Sequence, residues 1–351
     1  MKVFPFVALL CLALAAQLVT AEAPLDDIYQ ARVPISDRTN SARQAAYREG
    51  LSQILIKLSG YSGTPGFEGL EAELSSAEQY LLEFSIEPIS QPADNGVAAQ
   101  EGEALWMRFN QDFIDALVRR WEIPIWPSSR PEIGLTMQVV MGSENILLDE
   151  TNYPAAAALL KQNALQRGVH LRTLSPREGG QLLVQAQAGG ASEYDYWGLV
   201  ELRRDRFGDS LVTLKIETAN RPPLLYATTN ASLERSIAEV FDQFVDEISL
   251  QSSFVAGAAP GNQVNLELSS IDNFDAYRRV LGSLESLEMV EEATVLQLDL
   301  NRVQVRLKLA SSLALLLDGI EQQGLLQIEQ ESTLQSAGFP VLQLRYRPSD
   351  N

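Results

Sequence analysis

Very few residues of this sequence have the type and spacing that catalysis needs. The chain contains one histidine, His170, and one cysteine, Cys11, which lies in the apolar run that opens the chain. A cysteine nucleophile and zinc sites built from several His or Cys ligands are therefore excluded. A Ser-His-Asp triad would need His170, and no G-x-S-x-G pattern presents a serine. The sequence predicts no catalytic residue, no metal site and no cofactor, and His170 is interpreted as a strand-end or surface histidine.

Glycines and carboxylates supply two weaker patterns. Gly60, Gly63, Gly66 and Gly69 recur every third residue, but they follow a helix, whereas a phosphate loop usually follows a strand and opens a helix. We therefore interpret Gly60 as the end of the helix and the glycines after it as part of a flexible turn. With 46 Asp and Glu residues, a carboxylate pair that hydrolyses a glycosidic bond stays an open alternative. Acidic clusters such as Glu144–Glu150 are interpreted as solvated ends of elements.

One tryptophan and three charged side chains are the candidates for contacts. Trp126 lies in irregular chain between Pro124 and Pro127 and is followed by Arg130. A rigid aromatic side chain of this kind anchors either an interdomain contact or a partner. At the first strand-to-helix turn, an Asp and Arg pair either ties the turn together or belongs to a binding site. The candidate partner or interdomain contacts are Trp126, Arg130, Arg38 and Asp37.

Composition and the first residues indicate an exported, acidic protein. The chain has 351 residues and a formal net charge of −19, so nucleic acid and anionic lipid surfaces would repel it on average. Lys2, the apolar run Val3–Leu18 and Ala21 predict a cleavable signal peptide over residues 1–21. Leu9 and Leu10 precede Cys11, where lipoprotein signals need small residues, so lipidation is not expected. No later apolar run reaches the length of a membrane span. The predicted location is the periplasm.

The order of elements predicts an α+β protein of three α/β sandwich modules. After the signal peptide we expect an N-terminal α+β domain over 22–130 and a middle α/β domain over 131–252. A linker over 253–262 then leads to a C-terminal domain over 263–351.

Within the first domain, hydrophobic spacing predicts a helix that ends at Gly60 and a second helix over 67–82. Strands are predicted over 84–89 and 105–109, with the polar stretch 91–103 between them.

The middle domain is predicted as βαβαβββα and the last as a ferredoxin-like βαββαβ unit. In the latter, the apolar row of Leu296, Leu298 and Leu300 is predicted to join the row of the next strand through an Asn301-Arg302 turn. A final strand, Val341–Tyr346, is expected to extend the edge of this sheet.

Several short motifs resemble an uncharacterised gammaproteobacterial exported family, domain of unknown function 2066 (DUF2066). The motifs are Tyr29-x-Ala31-x-Val33-Pro34 with Asp37-Arg38, then Pro124-Ile125-Trp126 with Arg130-Pro131, and Arg167-Gly168-Val169. The resemblance implies a Gram-negative exported protein and assigns no catalytic residue. The middle order is also similar to the amino-terminal domain of the Tol-Pal propeller protein and to lipoproteins of curli secretion and peptidoglycan-synthase activation, an analogy of fold alone.

These observations predict a non-catalytic periplasmic binding or scaffold protein, whose partner is an unknown envelope protein or cell-wall component. Two alternatives stay open: a carboxylate-dependent hydrolase of cell-wall glycan, and a small-ligand binder in an interdomain cleft.

Overall fold

Three β-sheets with eight helices make up the part of the chain that the computed structural model describes. That part is residues 28–91, 100–128, 130–141, 144–148, 154–187, 193–204, 207–218, 221–255, 262–299, 301–336 and 339–347. The α+β multidomain class is thereby confirmed, and we call each sheet with its helices a unit. The predicted signal peptide lies outside the described residues. Within them, no helix is both long and apolar enough to cross a membrane.

The first unit is a three-stranded antiparallel sheet in the order β1-β3-β2. Its elements are β1 (Gln30–Ile35), α1 (Asn40–Ser59), α2 (Leu70–Ser75), β2 (Leu81–Gln91), β3 (Gln100–Phe109) and α3 (Gln111–Arg120). Thr39 is the N-cap of α1, because its side chain accepts a hydrogen bond from the amide of Ala42. Gly60 ends it in the left-handed conformation, with φ at 70°. The predicted stop is confirmed.

The predicted helix over 67–82 is wrong in length. Only Leu70–Ser75 is α-helical, between short 3₁₀ turns at Thr64–Gly66 and Ala77–Tyr80. Gly69 has φ at 92°, a value that a helix interior does not contain. Strands β2 and β3 also run further than predicted, and they pair antiparallel, so residues 91 and 100–103 of the polar stretch belong to strands. Residues 92–99 lie outside the described residues.

The second unit is a mixed sheet in the order β5-β4-β7-β8-β9, with β6 paired to β4 as well. Its elements are β4 (Glu132–Met141), β5 (Glu144–Leu148), α4 (Pro154–Arg167), β6 (His170–Thr173), α5 (Pro176–Gln187), β7 (Tyr196–Arg204), β8 (Ser210–Thr218), β9 (Arg221–Asn230) and α6 (Leu233–Ser252). Strand β5 corrects the sequence interpretation, because part of the acidic cluster Glu144–Glu150 is a hairpin strand against β4. Helices α4 and α6 share the main core cluster with the sheet, and α5 packs against β4.

The third unit is a five-stranded sheet in the order β11-β12-β10-β14-β13. Its elements are β10 (Asn262–Ser269), α7 (Phe274–Glu285), β11 (Val290–Leu298), β12 (Arg302–Leu309), α8 (Leu313–Gln323), β13 (Leu326–Ser336) and β14 (Phe339–Tyr346). The final strand does not extend the edge. It lies parallel to β10 inside the sheet, and β13 forms the edge beyond it.

The hairpin between β11 and β12 also differs from the prediction. Its closing hydrogen bond joins the amide of Asp299 to the carbonyl of Arg302, so Arg302 belongs to the strand and not to the turn. Two register shifts interrupt β11, and they break the strict alternation on which a shared apolar row depends. As a result Leu296 and Leu298 are 43% and 63% exposed, and Val295 faces Val305.

Candidate functional site

The segment between the first and second units is where all three units meet. The amide of Trp126 donates to the carbonyl of Leu58 on α1 at 2.8 Å. Ile125 and Phe254 exchange two backbone hydrogen bonds, of 2.7 and 3.0 Å. Phe254 lies within the predicted linker 253–262, yet it is 8% exposed and belongs to the core cluster of the third unit. The connection between the first two units, through Ile125 and Trp126, therefore holds the three units together.

Trp126 is a packing residue of this junction. It is 2% exposed and belongs to the core cluster of the second unit. A Cβ atom built on Gly60 would lie 2.2 Å from Cε3 of Trp126 and 2.5 Å from Cβ of Ser249 on α6. The indole thus lies where α1 ends, and Gly60 is required both for its backbone conformation and for the space that it leaves to the ring.

Two alanine substitutions separate these requirements. Gly60 and Gly324 both end helices in the left-handed conformation, but nothing lies within 4 Å of a Cβ atom on Gly324. Both variants carry the conformational cost of about 1–2 kcal/mol. We expect Gly60→Ala to lose a further ~1–3 kcal/mol because of overpacking. Urea unfolding of the two variants measures the difference, and equal losses would contradict the close packing of Trp126.

A buried guanidinium forms the second connection between the first two units. Arg167, at the end of α4, is 4% exposed and donates to Asp242 and Asp246 on α6 and to the carbonyl of Gly60. Asp246 also accepts from the amide and the hydroxyl of Ser62, at 2.8 and 2.7 Å. Burial raises the pKa of Asp242, and the charge of Arg167 opposes that shift. The cluster links the loop after α1 to two helices of the second unit.

The turn residues Asp37 and Arg38 do not pair with each other, contrary to the predicted Asp and Arg tie. Asp37 accepts from the amide of Thr39 at 2.8 Å, and hydrogen bonds from Thr39 lower the pKa of its carboxyl group. Arg38 instead pairs with Glu103 on β3. Both side chains of that ion pair are exposed, so the pair contributes little. These two residues lie apart from the candidate site described next.

A cleft of about 600 Å³ opens beside the junction. Its walls come from the connecting segment, from the amino-terminal ends of β4, β6 and β7, and from the carboxyl-terminal ends of α7 and α8. The lining residues are Ser128, Arg130, Glu132, His170, Asp195, Ser286, Leu287, Gly319, Gln322 and Gln323. Nearly all are polar or charged, so the cleft suits a polar ligand. We call it the junction cleft.

Arg130 is the residue of this cleft whose buried hydrogen-bond donors lack acceptors. It is 5% exposed, and its Nη2 donates to the carbonyls of Lys57 and Trp126 at 2.8 and 3.0 Å. Its Cζ lies 4.1 Å from the centre of the Trp126 ring. Nε and Nη1 are buried and have no acceptor among the described residues. Burial lowers the pKa of Arg130 to about 9; the charge of Arg167 adds to that effect, and Glu288 opposes it.

The two acidic residues of the cleft occupy adjacent positions at the start of neighbouring strands. Asp195 accepts from the amide of Glu132 at 2.8 Å, and the residues that follow them, Ile133 and Tyr196, are paired in neighbouring parallel strands. A glycosidase needs two carboxyl groups that flank the scissile bond from different sides. Both carboxylates belong to the wall that the second unit forms, and the described lining residues of the opposite wall, from the third unit, include no carboxylate.

The cleft also brings together Ser128, His170 and Asp195, which are residue types of a hydrolytic triad. No hydrogen bond joins their side chains in the part of the chain that the structure describes. The amide of Ser128 donates to Glu288 at 3.0 Å, and Asp195 is engaged by a backbone amide. Among the described residues, no group of three His, Cys, Asp or Glu side chains could hold a metal ion.

Sequence reasoning named Arg130 and His170 but did not place them together. The lining residues are distributed from Ser128 to Gln323 and share no motif. The general rule for open α/β sheets puts ligands at the carboxyl ends of parallel strands, whereas this cleft lies at their amino ends. The proximity of two sheets creates the site, and no local signal in the sequence reports that proximity.

Comparison with known proteins corrects the family resemblance. A family described as a domain of unknown function (DUF8605) matches residues 23–127. The assignment to DUF2066 is wrong, because the matching family is a different one and DUF2066 gives no match. No curated protein matches the chain.

Proposed function

We propose that this chain is an exported, non-catalytic binding protein of the periplasm, which recognises its partner or ligand in the junction cleft. The observation that carries the proposal is the buried guanidinium of Arg130, which lines the cleft and keeps Nε and Nη1 without acceptors among the described residues. Buried polar groups in native proteins are nearly always paired. The cleft volume of about 600 Å³ is also within the range of ligand sites.

Export supports the periplasmic part of this proposal. Lys2, the apolar run Val3–Leu18 and Ala21 have the order of a cleavable signal peptide,. We also propose, as an analogy of fold, that the second unit is related to the amino-terminal domain of the Tol-Pal propeller protein and the third to ferredoxin-like units. The insertion of β14 beside β10 departs from the simple βαββαβ order.

A site-specific photocrosslinker tests the proposal in intact cells. Gln322 lines the cleft and is exposed; Gln297 is exposed on the edge strand of the same unit, and it does not line the cleft. With the crosslinking amino acid at residue 322 we expect a covalent adduct, because a bound molecule would lie against this position. Mass spectrometry of the purified protein detects it.

The position at residue 297 is the matched control, and there we expect no adduct of the same mass. Adducts at neither position, or identical adducts at both, would contradict recognition in the junction cleft.

A further inference from the structure

The first observation is that the junction cleft offers a positive group in need of an anion. Nε and Nη1 of Arg130 lack acceptors among the described residues, and the ring of Trp126 covers one face of the guanidinium. The negative charge that acts on it most is Glu288, whose carboxylate accepts from the amide of Ser128. A planar guanidinium on an aromatic platform is well suited to recognise a carboxylate.

The second observation is that the same cleft carries negative charge. Glu132 is exposed, and its carboxylate makes no hydrogen bond or ion pair within the described residues. Asp195 lies beside it. Two carboxylates repel a doubly charged phosphate but attract an ammonium group. The ligand therefore needs one negative charge for Arg130 and one positive charge for the acidic wall.

We propose that the junction cleft binds a small zwitterion, a free amino acid or short peptide, with its carboxylate on Arg130 and its ammonium beside Glu132 and Asp195. The amide side chain of Gln322, which has no hydrogen bond within the described residues, is then available to the peptide group. This inference rests on the proposed function, since it names the ligand class of the same cleft.

Calorimetry with simple probes tests the inference on the signal-free chain. We expect the dipeptide alanyl-alanine to bind saturably. Its C-terminal amide and its N-acetyl derivative should each bind at least about tenfold more weakly, because each lacks one of the two charges. Inorganic phosphate at the same concentration should not displace the dipeptide.

Two variants test which residues bind the carboxylate and the ammonium group of the ligand. Arg130→Gln should abolish binding of the dipeptide. Glu132→Gln changes an exposed side chain, so the fold is expected to persist. It should weaken binding of the dipeptide, which loses an acidic partner for its ammonium group, but it should not weaken binding of the N-acetyl derivative. If Arg130→Gln does not fold, the probe series on the wild-type chain decides the question alone.

Each contrary result has a defined meaning. Equal binding of the dipeptide and its amide, or displacement by phosphate, would overturn the zwitterion assignment. Absence of binding for every probe, together with a specific adduct at residue 322, would overturn this inference and leave the proposed function standing. Absence of both binding and adduct would overturn the two together.

Discussion

The Trp126→Ala variant is expected to lose about 3–5 kcal/mol of unfolding free energy, the usual cost of truncating a buried aromatic side chain. The ring is 2% exposed and packs where α1 ends, and Arg130 stacks upon it. Its loss leaves a cavity between units and removes the platform of a buried charge. Urea unfolding followed by far-ultraviolet circular dichroism measures the change without relying on tryptophan fluorescence.

Trp106 provides the matched control. It also carries an arginine over its ring, with Cζ of Arg108 at 5.7 Å, but it is only half-buried on the first sheet. Trp106→Ala should therefore cost clearly less. If the two variants unfold at the same urea concentration, Trp126 does not hold the junction as described, and a role at a partner surface would regain support.

The Arg167→Met variant is expected to lose about 1–3 kcal/mol, because the partly exposed carboxylates of Asp242 and Asp246 lose their cation and the carbonyl of Gly60 loses its donor,. Asp242 and Asp246 would then face each other across one turn of α6. Arg172→Met is the control. Arg172 pairs with Glu178 at 3.1 Å, both side chains are well exposed, and its loss should cost less than about 1 kcal/mol.

The unfolding free energy that Arg167→Met loses relative to wild type should depend on pH in a defined direction. Burial raises the pKa of folded Asp242 above its usual 3.8, so its contribution to stability is present at low pH and is lost as pH rises through the folded pKa. Without Arg167 that pKa rises further. The difference between wild type and Arg167→Met should therefore be larger at about pH 7 than at about pH 5. A deficit that grows on acidification would contradict this account.

Elements with strong local signals were predictable from the sequence. Helix α5 (Pro176–Gln187) is the second helix of the βαβαβββα order that was predicted for the middle domain. The reason is a capping box: the amide of Glu178 donates to the hydroxyl oxygen of Ser175, and the carboxylate of Glu178 accepts from the amide of Ser175,. All of these contacts lie within four residues of one another, so the sequence contains what the helix needs.

Elements that depend on distant pairing were not predictable. Strand β5 was missed because the acidic cluster Glu144–Glu150 was interpreted as a solvated end of an element. Residues Glu144–Leu148 are mostly exposed, but they pair with β4 in a hairpin. The position of β14 follows from its parallel register with β10, and alternation within a strand does not choose a neighbour. The junction cleft depends on five separate chain segments meeting, which makes it still less visible in the sequence.

The place of β14 has a consequence for the order in which the third unit can be completed. Strand β10 is the first of this sheet to leave the ribosome, and β14, which covers its second edge, is the last. Glu267 and Gln343 form a cross-strand hydrogen bond across a separation of 76 residues. Until the segment Phe339–Tyr346 has emerged, β10 presents a row of unpaired amides and carbonyls that other chains can pair with. Premature truncation before residue 339 should therefore produce an aggregation-prone chain rather than a slightly shorter protein.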